Sequence, residues 1–227
     1  LQSATYAREL MESPLEVEPL PMPDVLNQLA SQYFPVLSVD GRQLIFTGRR
    51  GLEPRFDEDI YIALQTDEGE WKSPASISKV INTYANEGTC TISADGRTLI
   101  FTSCSRRDGY GSCDLYISYK TGDQWAKPAN IGPVVNSTHW ESQPSLSADG
   151  RQLYFCSDRP GGKGKTDIWL SRRNAQNQWS EPQNLEAPIN TAQEEISPFI
   201  HVNGQNLYYA SKGQPGMGGF DLYSTIQ

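Results

Sequence analysis

The sequence predicts an all-β fold, a β-propeller of four-stranded antiparallel blades, and three observations carry that expectation. A turn dipeptide falls at Asp40-Gly41, Asp95-Gly96, Asp149-Gly150 and Asn203-Gly204, in steps of 55, 54 and 54 residues. An aspartate followed by Ile or Leu and then Tyr or Trp falls at Asp59, Asp114, Asp167 and Asp221, in steps of 55, 53 and 54. Trp71, Trp125 and Trp179 keep the same register, as do Pro74, Pro128 and Pro182, and Asn27, Asn82, Asn136 and Asn190. Short strands repeated at such a period are the signature of propeller blades. Four repeats take up nearly all of the 227 residues, so a single domain is expected.

Residues 4–11 suit about two helical turns, which Ser13-Pro14 ends because proline disfavours helix in the residue before it. Residues 1–14 are thus expected to be a cap, or the tail of a preceding helical domain. Pro19 stands eight residues before Asn27, as Pro74, Pro128 and Pro182 stand eight before their own asparagines. Residues 15–21 therefore take the place of an outer strand. The last repeat stops after its third strand, so this segment is expected to complete the last blade and close a four-bladed ring. The alternative is part of a five- or six-bladed ring.

The repeats span residues 27–77, 82–131, 136–185 and 190–227, and the propeller as a whole residues 15–227. In the third repeat the pattern predicts strands over residues 142–147, 152–157, 167–171 and 178–185, from innermost to outermost. The Asp-Gly dipeptide fits a two-residue hairpin between the first two strands. Phe46, Phe101, Phe155 and Tyr209 recur on the second strand, and Tyr61, Tyr116, Trp169 and Tyr223 on the third. They are read as packing between blades, and the repeated tryptophans as anchors of the outer strand.

In the third repeat Asn136, Glu141, Ser147 to Arg151, Ser157 to Gly162 and Asp167 to Trp169 form a pattern that resembles the TolB-like, WD-type repeat of bacterial periplasmic proteins. The tandem is also similar to the propeller of OmpA-family proteins in Bacteroidetes-type envelopes, among them the type IX secretion component PorE. The resemblance implies a periplasmic, outer-membrane-associated domain, with a helical-repeat domain before it and a peptidoglycan-binding domain after it. There are departures. The first repeat has Gln32 where the others have Glu, the second lacks Asp-Arg-Pro-Gly-Gly, and the fourth has Lys212-Gly213 at that place.

A formal charge of −8 argues against nucleic acid, because phosphate neutralisation supplies most of such binding. No apolar run approaches the roughly 20 residues of a membrane helix, so direct membrane insertion by this domain is not expected. Strand direction puts the Asp-Gly turns at one end of the blades and the Gly-rich loops, with the crossings between blades, at the other. The second end varies in length and charge and is the expected binding face.

Two sets of charges fall there. Gln32, Glu87, Glu141 and Glu195 begin the innermost strands and are candidates for a ring at the channel mouth, suited to a cation or an amine. The alternative is that each accepts hydrogen bonds from backbone amides of the crossing loop or of a neighbouring blade. Arg49, Arg50, Arg55, Arg106, Arg107, Arg159, Lys163 and Lys165 are candidates for meeting an acidic partner, or are solvated loop charges.

Cys104 and Cys113 bracket one loop and are a disulfide candidate, with two reduced thiols as the alternative. A bridge implies an oxidising compartment. Cys90 and Cys156 fall inside strands and read as inert thiols. No CxxC pair appears, and His139 and His201 lack ligand spacing, so neither a metal nor a cofactor is expected.

Every strong motif is repeated, whereas a catalytic constellation is normally asymmetric. The chain is therefore expected to be a protein-interaction platform of the cell envelope rather than an enzyme, its partner a protein or peptide, with a glycan as a further candidate. The alternative is a sialidase-like, glycoside-acting propeller, which needs two carboxylates at a defined separation.

Overall fold

A computed structural model describes residues 2–12, 18–53 and 57–226. Helix α1 (Gln2–Glu12) and a single 3-10 turn (Asp24–Leu26) precede four antiparallel sheets that form the blades of a β-propeller. Blade 1 comprises β1 (Ser31–Leu37), β2 (Gln43–Arg49), β3 (Asp59–Leu64) and β4 (Ala75–Ser76). Blade 2 comprises β5 (Asn86–Ile92), β6 (Thr98–Cys104), β7 (Cys113–Thr121) and two short outer pieces, β8 (Gln124–Trp125) and β9 (Ala129–Asn130), which both pair with β7. Blade 3 comprises β10 (Glu141–Leu146), β11 (Gln152–Ser157), β12 (Asp167–Arg172) and β13 (Gln183–Asn184). Blade 4 comprises β14 (Glu195–Ile200), β15 (Asn206–Ser211) and β16 (Asp221–Ile226).

The hairpins form where the Asp-Gly dipeptides predict them. Gly41, Gly96, Gly150 and Gly204 all have φ between 69° and 71°, a conformation that costs glycine no Cβ clash. Within each turn the aspartate caps its own loop. Asp149 Oδ1 accepts from Ser147 Oγ at 2.5 Å and from Arg151 N at 3.0 Å.

The outer strands are shorter than the pattern suggests. In blade 3 only Gln183 and Asn184 pair as a strand, with an isolated bridge from Trp179 to Arg173. Pro182 lies between them and has no N–H for a ladder. Of the expected closing strand, residues 15–17 lie outside the described residues, and residues 18–21 carry no strand. Among the described residues blade 4 has three strands.

Three apolar clusters fill the successive blade interfaces. Ile45 and Ile60 of blade 1 meet Leu99, Phe101 and Tyr116 of blade 2. Ile100 and Leu115 meet Leu153, Phe155 and Trp169 of blade 3, and Tyr154 and Ile168 meet Leu207, Tyr209 and Tyr223 of blade 4. Between the sheets, a residue of each crossing loop completes the packing, namely Ile81, Val135 and Ile189.

Candidate functional site

The repeated asparagines act as substitute strand residues. Asn136 Oδ1 accepts from Leu115 N, and its Nδ2 donates to Leu115 O, both at 2.9 Å. Asn190 makes the same pair of bonds with Ile168, and Asn82 with Ile60. Each thus ties a crossing loop to the third strand of the blade before it. The repeated aspartates fold the Gly-rich loops. Asp114 accepts from Tyr110 N at 2.7 Å and Gly111 N at 3.3 Å, and Asp167 from Lys163 N and Gly164 N. These loops press on the next crossing. A Cβ added at Gly111 would lie 1.8 Å from His139 O, and one at Gly164 would lie 1.8 Å from Gln193 O. The Gly-rich loops and the crossings therefore share one end of the molecule.

The glutamates at that end are fully enclosed. Glu87, Glu141 and Glu195 are 0% exposed, and their oxygens are occupied within their own blades. Glu141 accepts from Ser137 N at 2.7 Å, Ser137 Oγ at 2.6 Å, Ser157 Oγ at 2.9 Å and the Arg159 guanidinium at 3.0 Å. Glu87 repeats this with Thr83, Ser103 and Arg106, and Glu195 with Thr191 and Ser211. Gln32 does the same work without charge, accepting from Leu29 N at 3.0 Å and donating to Leu26 O at 2.7 Å. A ring of open carboxylates at the channel mouth does not form, because each side chain turns into the loop that precedes its strand.

Two of the expected loop-face cations are also drawn inward. The Arg106 guanidinium lies 5.5 Å from the Phe101 ring and 4.7 Å from Tyr116, and Arg159 lies 5.1 Å from Phe155 and 5.4 Å from Trp169. Each is held between its aromatic pair and its buried glutamate, so neither is presented to a partner. Lys163 is exposed and bonds Glu186 at 2.6 Å, while Arg50 donates to Tyr61 Oη at 3.0 Å. Arg49 donates to Glu53 O at 3.3 Å. Arg107 and Lys165 are exposed at the loop face, and Arg55 lies outside the described residues. Cys104 and Cys113 form a disulfide at the end of the β6–β7 ladder, where their Cα atoms are 4.0 Å apart. Cys90 and Cys156 are buried thiols, and burial pushes Cys90 up to about 12.

The feature that sequence reasoning missed lies on the axis. Each innermost strand carries a bulge whose residue has positive φ: Phe34 at 51°, Thr89 at 31°, Gln143 at 55° and Ser197 at 55°. Such backbone persists in bulky residues only where its surroundings hold it. Here the bulges of blades 2, 3 and 4 are stapled to the blade before. Thr89 N donates to Thr47 Oγ1 at 2.8 Å, Gln143 N to Thr89 Oγ1 at 3.3 Å, and Ser197 N to Gln143 Oε1 at 2.6 Å. Residues of the four innermost strands line a half-open cavity of about 260 Å³, among them Phe34, Pro35, Cys90, Pro144, Pro198 and Phe199. Pro35, Pro144 and Pro198 sat in the repeat register, and proline inside a strand is itself a bulge signal. The cavity is mostly apolar, so it suits an apolar side chain or short segment more than an ion. Among the described residues, no group of three or more His, Cys, Asp or Glu is placed to hold a metal, and no helix is long and apolar enough to cross a membrane.

No family model matches the chain, and no curated protein does. Many solved structures share the fold. A puromycin-hydrolyzing peptidase of Mycobacterium tuberculosis aligns with a TM-score of 0.52 at 15% identity, covering 87% of this chain and 28% of that one. A xylan β-1,4-xylosidase of Bacillus halodurans C-125 aligns at 0.53 and 14% identity, covering 87% of this chain and 42% of that one. A putative TolB from Agrobacterium tumefaciens aligns at 0.44 and 17% identity, covering 86% of this chain and 82% of that one. The chain thus spans less than half the length of the peptidase and the xylosidase, and at these identities the likeness is one of fold.

The expectation that the chain is not an enzyme is corrected by these neighbours. Propellers of this architecture occur within hydrolases, so the repetition of motifs is no ground for excluding catalysis. A repeated scaffold leaves its loops, or other parts of a longer protein, free to supply an asymmetric site.

Proposed function

We propose that this propeller is a recognition platform of a bacterial cell envelope, periplasmic and outer-membrane-associated, which docks a protein or peptide partner. One observation supports the reading above others. The repeated polar residues are consumed in holding the blades, while the axial cavity of about 260 Å³ keeps an apolar lining on strained but stapled backbone. A rigid concave site of that kind accepts an apolar anchor at small entropic cost. Arg107 and Lys165 at the variable loops add positive charge, which mostly affects encounter rate with an acidic partner. The Cys104–Cys113 bridge fits an oxidising compartment, and the repeat pattern resembles that of TolB-like and OmpA-family envelope proteins. A place in type IX secretion or gliding machinery is the finer form of this proposal.

The test is photo-crosslinking in the native envelope, with the crosslinker placed in turn at Phe199 in the cavity and at Asp149 on the Asp-Gly turns. The expected outcome is one discrete partner attached from Phe199 and none from Asp149. Attachment from Asp149 alone, or from neither, overturns the reading.

A further inference from the structure

At the end of the molecule that carries the Asp-Gly turns, the grooves between blades are unequal. Between blades 2 and 3 a half-open groove of about 430 Å³ runs outward from Ala94 and Ala148 to the outer turn of blade 3, a size within the roughly 300 to 1,000 Å³ of small-molecule sites. The corresponding groove between blades 1 and 2 is about 220 Å³, and no residue of an outer turn lines it. The difference has a local cause. Blade 3 has five residues between Arg173 and Trp179, whereas blade 2 has four between Lys120 and Trp125. The longer turn is closed by Asn177 N donating to Asn174 O at 3.0 Å, with Asn177 at φ 62°, and it makes the outer wall of the groove. Arg173 holds that wall against blade 2. Its guanidinium donates to Asn177 O at 3.2 Å and to Tyr119 Oη at 3.0 Å, and lies 5.3 Å from the Trp179 ring. Both walls belong to blades whose shared interface is packed through Ile100, Leu115, Phe155 and Trp169.

The polar groups of the groove are fixed in place but not used up. Asp95 Oδ1 accepts from Ser93 Oγ at 2.5 Å and from Arg97 N at 3.0 Å, as Asp149 Oδ1 does from Ser147 Oγ and Arg151 N. These bonds, the serine hydroxyl's above all, hold both carboxyls below the usual carboxylate range, so both are ionised at neutral pH. Among the described residues, the second oxygen of each carboxylate, the Arg151 guanidinium and the Thr98 hydroxyl have no hydrogen-bond partner. Two carboxylates and the two guanidinium groups of Arg151 and Arg173 balance in charge, so an ion of either sign gains little here. They set acceptors and donors side by side, next to the methyl groups of Ala94, Ala148 and Ala175. A sugar hydroxyl is both donor and acceptor, and the C–H face of a sugar ring packs on methyl groups.

We infer that this groove binds a neutral oligosaccharide, with Asp95 and Asp149 accepting from its hydroxyls and Arg151 donating to them. The groove shares no lining residue with the axial cavity, so its failure leaves the docking reading untouched.

Isothermal titration with cellohexaose, maltohexaose and chitohexaose tests the inference. One of the three is expected to saturate the wild-type chain at a single site. Asp149→Asn keeps the turn, since Asn203 caps the same turn of blade 4 by accepting from Gln205 N at 3.0 Å, but it replaces the free acceptor with a donor. That variant and Arg151→Ala are each expected to weaken binding about tenfold, the worth of one hydrogen bond to a charged group. Asp40→Asn, the same change outside the groove, is expected to leave binding unchanged. Binding of none of the three sugars overturns the inference, and saturation by glycine in their place assigns the groove to zwitterions. Binding that survives both groove variants, or that Asp40→Asn weakens equally, overturns it as well.

Discussion

At the scale of the residue, a buried carboxylate is tolerated only when its charge is answered, and Glu141 has four answering groups. Removing it leaves the Arg159 guanidinium enclosed by Phe155 and Trp169 with no anion, along with Ser137 N and two hydroxyls without their acceptor. Glu141→Ala is therefore expected to lower stability by about 3 to 5 kcal/mol, the range for breaking a buried pair. Urea denaturation measures it. Glu141→Gln is expected to cost less, because Gln32 fills the same role in blade 1. Asp59 makes the opposite case. Burial, followed by the nearby Asp57 and Glu87 carboxylates, pushes it up to about 6. Its protonated form thus contributes stability that is fully present below the unfolded value near 3.8 and is lost as pH rises through about 6. Asp59→Asn is expected to raise the melting temperature at neutral pH and to leave it unchanged near pH 4, which thermal scans at the two pH values check. The repeated glutamates were visible in the sequence, and bonds to crossing-loop amides were one of the two readings open for them, but their side-chain partners were not. The clue that was present is the pair of arginines just past the second strand, Ser103-x-x-Arg106 and Ser157-x-Arg159, whose hydroxyls and guanidinium groups together enclose the carboxylate.

At the scale of the element, the second and third strands were legible almost to the residue. Period-2 alternation, the Asp-Gly turn and the Asp-Ile-Trp type start all point to the same boundaries, and β11 and β12 fall within one residue of expectation. The outer strands were less so, because a proline in each repeat and a tie through only two residue pairs leave most of the segment outside the ladder. The innermost strands hid their bulges. The positive φ of Gln143 is stabilised by a partner from the preceding blade, far away in sequence, and the proline next to it was the one local sign. The disulfide was readable as a pairing because Cys104 and Cys113 end adjacent strands, and they are direct partners across the ladder.

At the scale of the whole molecule, stability is set by how blades are joined, and the joints are unequal. Three asparagine clamps connect successive blades, whereas among the described residues Asn27 donates to Met22 O in the segment just before it. The same substitution should therefore have different consequences at equivalent positions. Asn136→Ala leaves the buried N–H of Leu115 without its partner, at a cost of about 1 to 3 kcal/mol, while the Leu115 carbonyl keeps the Ile131 N–H at 3.1 Å. Asn27→Ala exposes nothing of the kind. The expected result is a marked loss of stability for Asn136→Ala and a loss within a few tenths of a kcal/mol for Asn27→Ala, read from urea midpoints at equal m-values. Native-state hydrogen exchange adds a spatial check, since the Asn136 variant should lose protection at Leu115 and its β7 neighbours before β15 is affected. Equal losses at the two asparagines would mean that the first repeat is clamped as firmly as the rest.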